Sequence, residues 1–199
     1  SLSKKDMSKD PIVLEIENLM SLGAFEIKEE KVKILEIGCG DGSRGAFISS
    51  LFKFDYYGID PSRKAIEAAK KKGVIAKIAT ADEIPFKNNS FDVVVFGFCL
   101  YLCDRKDLKK ISFEADRVLK GNSWVIIYDF FSEIEIANPY HHKSGIKSYK
   151  MDYRKIFDHF GNYFCFSHKV LDHNSHIFTE KSSDWVSISS LRKNIEDVK

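Results

Sequence analysis

The sequence is poor in cysteine and has no pair of cysteines at metal-binding spacing. Its cysteines form no Cys-x-x-Cys pair and lie in apolar or turn contexts: Cys39, Cys99, Cys103 and Cys165. A structural zinc site or a disulfide framework needs closely spaced or regularly paired cysteines. We therefore expect no bound metal, no disulfide framework, and a protein that works in the reducing cytoplasm.

Long apolar runs are also missing. No stretch reaches the roughly 20 apolar residues with which a helix crosses a bilayer. The first residues lack the basic segment followed by an apolar segment that is typical of a signal peptide. These absences favour a soluble, cytoplasmic protein without a membrane partner.

There is little excess charge of either sign. The chain has 31 Lys and Arg residues against 29 Asp and Glu residues, which gives a formal net charge of +2, and both signs are scattered along it. Nucleic-acid binding usually needs a basic surface, and so does attachment to an anionic membrane. The composition therefore argues against a nucleic-acid partner and indicates that the substrate is not a long polyanion.

What the sequence does have is enough apolar content for one buried core. At 199 residues and 44% hydrophobic content, the chain is too short for two comfortable domains. Residues 1–199 are thus predicted to form a single domain. Residues 1–9 are polar and lysine-rich, and we expect them to be disordered. Residues 10–23 are predicted to form an N-terminal helix, capped by Asp10 and with Met20 on its buried face.

Strand and helix patterns alternate along the rest of the chain. Helices are predicted at 44–52, with Leu51 turned inward, at 63–72 and at 104–120; Gly121 and Asn122 are predicted to form a turn. Apolar strand patterns occur at residues 32–37, 56–59, 74–79, 91–96, 123–128, 163–171 and 184–191. This alternation is typical of an α/β fold.

A glycine-rich turn follows the first strand. Gly38, Gly40 and Gly42 stand at alternate positions, where a backbone without Cβ atoms can turn sharply and approach a ligand closely. The helix behind the turn directs free N–H groups to the same place. The dinucleotide-binding fingerprint is a poor match, because it needs a glycine at the sixth position of the turn, where this chain has Ser43. A purely structural connection between strand and helix is the alternative.

Asp60 ends the second strand at the distance expected of a ribose-binding acid. It lies roughly 20 residues after Gly38, the spacing at which an open α/β sheet brings a carboxylate next to the hydroxyls of a ribose. The alternative role is a cap for the next helix, because Pro61 and Ser62 follow. The two roles are compatible.

The segment Glu36-x-Gly-x-Gly-x-Gly resembles motif I of the class I S-adenosylmethionine-dependent methyltransferases. Residues 80–86 are similar to that family's Asp-x-x-x-Leu-Pro-Phe segment, and residues 185–192 to its final strand. The resemblance implies a single doubly wound, seven-stranded, mostly parallel sheet of Rossmann-like type with a reversed C-terminal strand. It also implies S-adenosylmethionine as the cofactor, with Glu36 near its methionine part and Asp82 near its adenine amino group. The cofactor-binding residues predicted in this way are Glu36, Gly38, Cys39, Gly40, Gly42, Asp60, Pro61, Ala81, Asp82, Glu83, Gly97 and Phe98.

The stretch between the fifth and sixth strands, residues 131–162, is predicted to be an insertion that forms a lid over the site. It is rich in tyrosine and histidine, including Tyr140, His141 and His142. Histidine can remove a proton near neutral pH, so either histidine could act as a general base, with His141 favoured; the alternative is that both are surface residues. Tyr101 follows the fourth strand, where many members of the resembled family carry a histidine, and it is predicted either to orient a substrate hydroxyl or to form an aromatic wall. The candidate catalytic residues are thus His141, His142, Tyr101 and Tyr140.

The function predicted from these features is methyl transfer from S-adenosylmethionine to an oxygen or nitrogen atom of a small metabolite. The insertion is weakly similar to that of type 11 methyltransferases encoded among cell-surface polysaccharide genes, which hints at a sugar-like acceptor. The alternatives are a non-catalytic S-adenosylmethionine-binding or scaffolding protein and a protein or RNA methyltransferase. We expect a monomer or a homodimer. A metal site is not expected at His173 and His176, because no carboxylate or cysteine accompanies them at metal spacing.

Overall fold

Buried strands and amphipathic helices alternate along the chain, as the hydrophobic periodicity predicts. The computed structural model describes residues 7–25, 30–140 and 147–194. The α-helices in these ranges are α1 Pro11–Ser21, α2 Ser43–Phe52, α3 Arg63–Lys71 and α4 Leu108–Val118. The strands are β1 Lys33–Ile37, β2 Asp55–Asp60, β3 Ile75–Ile78, β4 Phe91–Gly97, β5 Leu119–Phe130, β6 Ile136–Pro139, β7 Lys147–Lys150, β8 Tyr163–Asp172 and β9 Trp185–Lys193. Short 3-10 helices cover Met7–Lys9, Leu100–Leu102, Arg105–Asp107, Tyr153–Phe160 and Ser182–Asp184. None of the helices described in these ranges has the length and apolar character needed to cross a bilayer.

Seven of the strands form one sheet in the order β3-β2-β1-β4-β5-β9-β8. Pairing is parallel from β3 through β5, whereas β9 runs antiparallel to both β5 and β8. The strand order reverses between β1 and β4, so the carboxyl ends of these two strands flank a crevice at the switch point. The arrangement confirms the predicted doubly wound α/β sheet with a reversed C-terminal strand.

Helices cover both faces of this sheet. α1, α2 and α3 pack on one face around Ile16, Ile48 and Ile66. On the other face, α4 packs together with the 3-10 helix Tyr153–Phe160, which contributes Phe157 to the core. β4 lies between the two layers and is almost entirely buried, as its continuous apolar run predicts. The strand ends that build the site are therefore held by a core on both sides.

The predicted turn at Gly121 and Asn122 is wrong, because both residues belong to β5. β5 pairs with β4 through a register shift between Phe91 and Val93, and Asn122 has a φ of +51°. Between the pairs Phe91–Leu119 and Val93–Trp124, β4 advances by two residues and β5 by five, and such extra residues in one strand with a left-handed backbone are characteristic of a β-bulge. Gly121 and Asn122 thus lie within β5 and do not form a turn before it.

Burial differs from the prediction at three places near helix ends. Met20 and Leu51, predicted to face inward, are 38% and 52% exposed, because each lies in the last turn of its helix, where fewer neighbours cover the apolar face. Met7–Lys9 form a 3-10 helix with Met7 buried, so the expected disorder of residues 1–9 does not extend to these three. Residues 1–6 lie outside the described part of the chain.

The predicted insertion, residues 131–162, divides into two parts. Its first part contains β6 and β7, which form a separate antiparallel pair; their connection at 141–146 lies outside the described residues, so a lid there stays a prediction. The second part is the 3-10 helix Tyr153–Phe160, which buries Tyr153, Ile156 and Phe157. This second part is a packing layer of the main sheet.

A buried ion cluster joins the N-terminal helix to the end of β1. Asp10 caps α1 by accepting hydrogen bonds from the N–H groups of Ile12 and Val13 at 2.9 and 3.2 Å. Arg44, in the first turn of α2, pairs with Asp10 at 3.0 Å and with the fully buried Glu36 at the end of β1. The cluster therefore fixes α1 and α2 against the strand that leads into the glycine turn.

We predict that Arg44→Met strongly destabilises the fold. Glu36 would then be a buried carboxylate without a counter-charge, which costs about 3–5 kcal/mol when one partner of a buried pair is removed. The free energy of unfolding, measured by urea denaturation, checks this value. Lys72→Met is the matched control, because Lys72 pairs with Asp41 at 2.6 Å with both side chains well exposed, and exposed pairs contribute about 0–1 kcal/mol. Equal losses for the two variants would contradict the structural role given to the buried cluster.

Candidate functional site

A cavity of about 440 Å³ opens at the carboxyl ends of β1, β2 and β4. Its position is the crevice that strand reversal creates in open α/β sheets, and its volume lies in the range of small-ligand sites. Six of the predicted cofactor-binding residues line it: Gly38, Asp60, Pro61, Ala81, Asp82 and Phe98. Glu36, Cys39, Gly40, Gly42, Glu83 and Gly97 are not among its lining residues.

The glycine turn forms one wall of the cavity. The N–H groups of Gly38 and Cys39 both donate to the carbonyl oxygen of Ile59, at 2.9 and 3.0 Å, which ties the turn to β2. A Cβ on Gly38 would lie 2.6 Å from Cβ of Cys99, a distance that atoms cannot adopt without movement. A Cβ on Gly40 would meet nothing within 4 Å, so the backbone there faces open space.

Asp60 stands at the end of β2 with its carboxylate held by backbone groups. Its Oδ2 accepts from the N–H of Gly40 at 3.1 Å, and its Oδ1 accepts from the N–H of Ser62 at 2.8 Å. The cap of α3 is Ser62, whose hydroxyl oxygen accepts from the N–H of Ala65. No lysine or arginine of the described ranges forms an ion pair with Asp60, so its carboxylate is available to hydroxyl donors.

Asp82 lies on a different wall and already has polar partners. Lys110 forms an ion pair with its Oδ2 at 3.0 Å. Hydrogen bonds from the side chains of Thr80 and Lys110 lower the pKa of Asp82, which keeps it ionised. Ala81 lines the cavity beside it, whereas Glu83 is exposed and does not. An adenine amino group at this place would share Asp82 with Lys110.

Glu36 and Gly97 lie beneath the site and do not line it. The hydroxyl of Tyr56 donates to Oε2 of Glu36 at 3.0 Å, and Arg44 holds the other oxygen. Burial raises the pKa of Glu36, while Arg44 opposes this effect. A Cβ on Gly97 would collide with the Glu36 carboxylate, so Gly97 makes room for the ion cluster. A contact of Glu36 with the methionine part of a cofactor stays a prediction.

The thiols near the cavity are not nucleophiles at neutral pH. Burial raises the pKa of Cys39 to about 12 and that of Cys103 to about 11, and it also raises the pKa of Cys99. Cys39 packs against Gly58, where a Cβ would be 2.6 Å from its sulfur. Gly42 is likewise buried, at the N-cap of α2. Cys39 and Gly42 therefore have packing roles in this structure.

The segment after β4 supplies a further wall of the cavity whose residues are not among the predicted cofactor-binding residues. They are Cys99, Leu102, Cys103, Asp104, Asp107 and Ile111. The last three lie within the helix predicted at 104–120, which was the available signal. The turn itself has no helix or strand periodicity, so its course could not be read from the pattern.

Asp129 holds this turn in place from the end of β5. Its buried carboxylate accepts from the N–H groups of Leu100 at 2.7 Å, Tyr101 at 3.4 Å and Phe130 at 2.8 Å. Burial raises the pKa of Asp129 to about 7, and these N–H groups oppose that rise. The side chain thus positions the backbone beyond β4 and has no face toward the cavity lining.

Phe98 lines the cavity and also belongs to a group of partly exposed rings that we call the aromatic bay, formed by Phe98, Tyr101, Phe130, Tyr140 and His173. Ring centroids lie 4.8 Å apart for Phe98 and Phe130, 5.3 Å for Phe98 and Tyr101, and 6.2 Å for Tyr101 and Tyr140. Phe98 has a φ of +65°, which is a strained conformation for a bulky residue and is found mostly at functional sites. The structure thus brings together the two tyrosines predicted as catalytic.

His141 and His142 lie outside the described residues, so their roles stay predictions. Burial and a hydrogen bond involving Tyr140 raise the pKa of Tyr101, which keeps its hydroxyl protonated at neutral pH and suits a donor or wall better than a base. In the part of the chain that the structure describes, no three His, Cys, Asp or Glu side chains cluster closely enough to hold a metal ion.

A family model and several curated proteins match part of this chain. The type 11 family model described as a methyltransferase domain matches residues 35–127. The biotin biosynthesis bifunctional protein BioHC of Saccharophagus degradans is 30% identical over 106 residues, which are 50% of this chain and 18% of that protein. The ubiquinone/menaquinone biosynthesis C-methyltransferase UbiE of Desulfotalea psychrophila is 29% identical over 102 residues, 49% of this chain and 41% of that protein. The chain thus spans less than half the length of either curated relative.

Solved structures share the architecture. An S-adenosylmethionine-dependent methyltransferase from Methanosarcina mazei superimposes with a TM-score of 0.71 at 17% identity, covering 89% of this chain and 98% of that one. At this identity the likeness concerns the fold. The matched methyltransferase domain, the glycine turn and the strand order agree with this likeness and support the fold of the class I S-adenosylmethionine-dependent methyltransferases.

Proposed function

We propose that this protein transfers the methyl group of S-adenosylmethionine to an oxygen or nitrogen atom of a small metabolite. The observation that carries the proposal is the position of Phe98, which lines the cofactor-sized cavity and also belongs to the aromatic bay. A ligand cavity and a partly exposed aromatic surface that share one residue suit a reaction between two small molecules.

The cavity has the charge that S-adenosylmethionine requires. That molecule carries a sulfonium and an ammonium group, and the cavity is lined by Asp60, Asp82, Asp104 and Asp107, with no lysine or arginine of the described ranges among the lining residues. Ile59, Ile37 and Ile111 add apolar walls, which suit an adenine ring. The open backbone at Gly40 lies next to Asp60, where a ribose would be held. The residues present therefore fit this cofactor.

The protein itself has to orient the acceptor toward the methyl group and exclude water. Bound S-adenosylmethionine supplies a methyl group that its sulfonium already activates. Phe98, which lines the cavity, and Tyr101, which contacts it within the bay, can align an acceptor with the methyl group while keeping water away. Such a site needs little acid–base chemistry beyond removal of one proton from the acceptor.

Two other functions from the sequence are weaker proposals. A non-catalytic S-adenosylmethionine-binding protein would need the glycine turn, Asp60 and Asp82 but has no need of an acceptor surface such as the aromatic bay. A protein or RNA methyltransferase is disfavoured because the cavity lining is acidic and the net charge of the chain is only +2. A sugar-like acceptor remains within the small-metabolite proposal.

Asp60→Asn is predicted to weaken binding of S-adenosylhomocysteine about 10–150-fold. The change removes a charged hydrogen-bond acceptor from the ribose hydroxyls, which costs about 1.5–3 kcal/mol. Isothermal titration calorimetry measures the affinity. Asp55→Asn is the matched control, since Asp55 lies at the opposite end of β2 and its partner is Lys31 at 3.5 Å. An unchanged affinity for Asp60→Asn would remove Asp60 from the cofactor site.

The proposed reaction is tested with methyl-labelled S-adenosylmethionine and a deproteinised metabolite extract. We expect labelled products of low molecular mass, each heavier than its precursor by one methyl group, from which demethylating reagents release the label, as they do from oxygen or nitrogen and not from carbon. Tight cofactor binding without any labelled product would favour the non-catalytic function. Label found in added protein or RNA, and in no small molecule, would replace the proposal with the macromolecular alternative.

A further inference from the structure

We infer that the aromatic bay receives an acceptor with a planar aromatic or heteroaromatic ring, and that His173 takes the proton from that acceptor's hydroxyl or N–H group. The inference rests on the proposed function, because it concerns the acceptor side of the same reaction. It adds a substrate class and a catalytic residue from the connection between β8 and β9.

The bay is built as a ring-binding surface. Phe98, Tyr101, Phe130 and Tyr140 come from three separate segments, and all four side chains are partly exposed. Phe130 meets Tyr101 edge to face with centroids 5.2 Å apart and Phe98 in the same manner at 4.8 Å. Rings in offset or edge-to-face arrangements leave faces and edges that a further planar ring can continue. A polyhydroxylated acceptor would instead bring many hydroxyls to walls made mainly of carbon.

His173 completes the bay and has an unused nitrogen. Its ring stacks on Phe98 with centroids 5.3 Å apart at 24° and lies 5.1 Å from Phe130. Its backbone N–H donates to the carbonyl oxygen of Asp184 at 2.8 Å, which fixes the residue. Nδ1 is buried and has no hydrogen-bond partner among the described residues. Buried polar atoms without a partner are rare because each is costly, so a ligand donor at this nitrogen is the physical explanation.

His176 does not compete for this role, although it belongs to the same connection. Its Nε2 lies 3.1 Å from the hydroxyl of Tyr128, and the two rings are edge to face. Tyr128 in turn packs 5.2 Å from Phe98. His176 is thus committed to a contact behind the bay, whereas His173 is in the bay itself.

The surroundings of His173 keep its imidazole neutral. Burial lowers its pKa, and so do His176 on its own connection and Lys150 at the end of β7. Asp172 and Asp184 act in the opposite direction without reversing the shift. A neutral imidazole is the form that accepts a proton. At neutral pH, His173 is therefore ready to act as a base.

The methyl transfer needs only the acceptor, S-adenosylmethionine and His173. A lone pair on the acceptor oxygen or nitrogen forms the bond to the methyl carbon, and the carbon–sulfur bond breaks with its electron pair staying on sulfur. His173 receives the acceptor proton and passes it to water. No oxidant, reductant or further reactant is needed.

The substrate class is tested with two acceptor panels and methyl-labelled S-adenosylmethionine: hydroxyquinolines, hydroxyindoles and catechols in one panel, and glucose, rhamnose and N-acetylglucosamine in the other. We expect labelled methyl ethers or N-methyl products from the first panel. Label in the sugars alone would overturn the inference while the proposed function stands. If neither panel reacts, the ultraviolet spectrum of the labelled products from the metabolite extract decides: aromatic products support the inference and non-aromatic ones overturn it. No labelled product in any mixture would overturn the proposed function itself.

The role of His173 is tested with His173→Gln and the best aromatic acceptor, or the unmethylated precursor of the aromatic product from the extract. We expect kcat to fall about 100-fold at pH 7 while the affinity for S-adenosylhomocysteine is unchanged. The loss should shrink as pH rises, because the acceptor then ionises without help, and it should be small for a nitro-substituted acceptor that is already ionised. In the unaltered protein, kcat should decrease only below pH 6.5, the ordinary pKa of histidine.

Three further variants separate this role from a structural one. His159→Gln is the matched control, because His159 is exposed on the 3-10 helix Tyr153–Phe160 and contacts Phe113, far from the bay in the fold; its kcat should equal that of the unaltered protein. A loss in His173→Gln that is the same at every pH and for every acceptor would overturn the base role. A 100-fold loss in His141→Gln or His142→Gln with none in His173→Gln would assign the proton to the other connection.

Discussion

The buried pairing of Glu36 with Arg44 is the interaction on which the rest of the site depends. A fully buried carboxylate at the end of β1 is tolerated only with a counter-charge and hydrogen bonds around it, and Arg44 and Tyr56 supply both. Because Arg44 also binds Asp10, the same pairing fixes the start of α1 and the first turn of α2. A side chain at position 97 would collide with the Glu36 carboxylate, so glycine is needed there. One charge placed in the core thus sets the positions of two helices and two strand ends around the glycine turn.

The cavity and the aromatic bay lie above this cluster and differ in charge and shape. The cavity is acidic and partly apolar, with Asp60 and Asp82 on separate walls. The bay is aromatic, and Phe98 belongs to both. The strained backbone of Phe98 is held from two sides: its N–H donates to the carbonyl oxygen of Tyr128 at 2.9 Å, and Asp129 binds the N–H groups of the turn that follows. These hydrogen bonds tie Phe98 and the turn that follows it to the end of β5.

The sequence predicted the cavity lining in part, because six of the twelve candidate cofactor-binding residues line it. Of the aromatic bay, it pointed to Phe98, Tyr101 and Tyr140 but not to Phe130 or His173. Gly38 and Asp60 are close in space because β1 and β2 are parallel neighbours joined by one helix, so local spacing along the chain predicts their contact. Glu36 was identified as important for the ligand, yet its partners Arg44, Asp10 and Tyr56 show a structural use that the motif alone does not reveal. The sequence pattern singled out His173 only as a possible metal ligand. Its contact with Phe98 joins the segment after β8 to the segment after β4, and residues next to His173 in the sequence do not predict such a contact.

The sequence by itself determined the order of strands and helices, the glycine turn, and the acid at the end of β2. These follow from hydrophobic periodicity and from the few backbone conformations that a strand-to-helix turn allows, both of which are local. Only the tertiary structure decided that residues 153–160 pack as core, that Gly121 and Asn122 continue a strand, and that Phe98, Tyr101, Phe130, Tyr140 and His173 form one bay. Those outcomes depend on contacts between segments distant in the chain, and the free energy of such contacts comes from side-chain packing across the sheet, which no local pattern encodes.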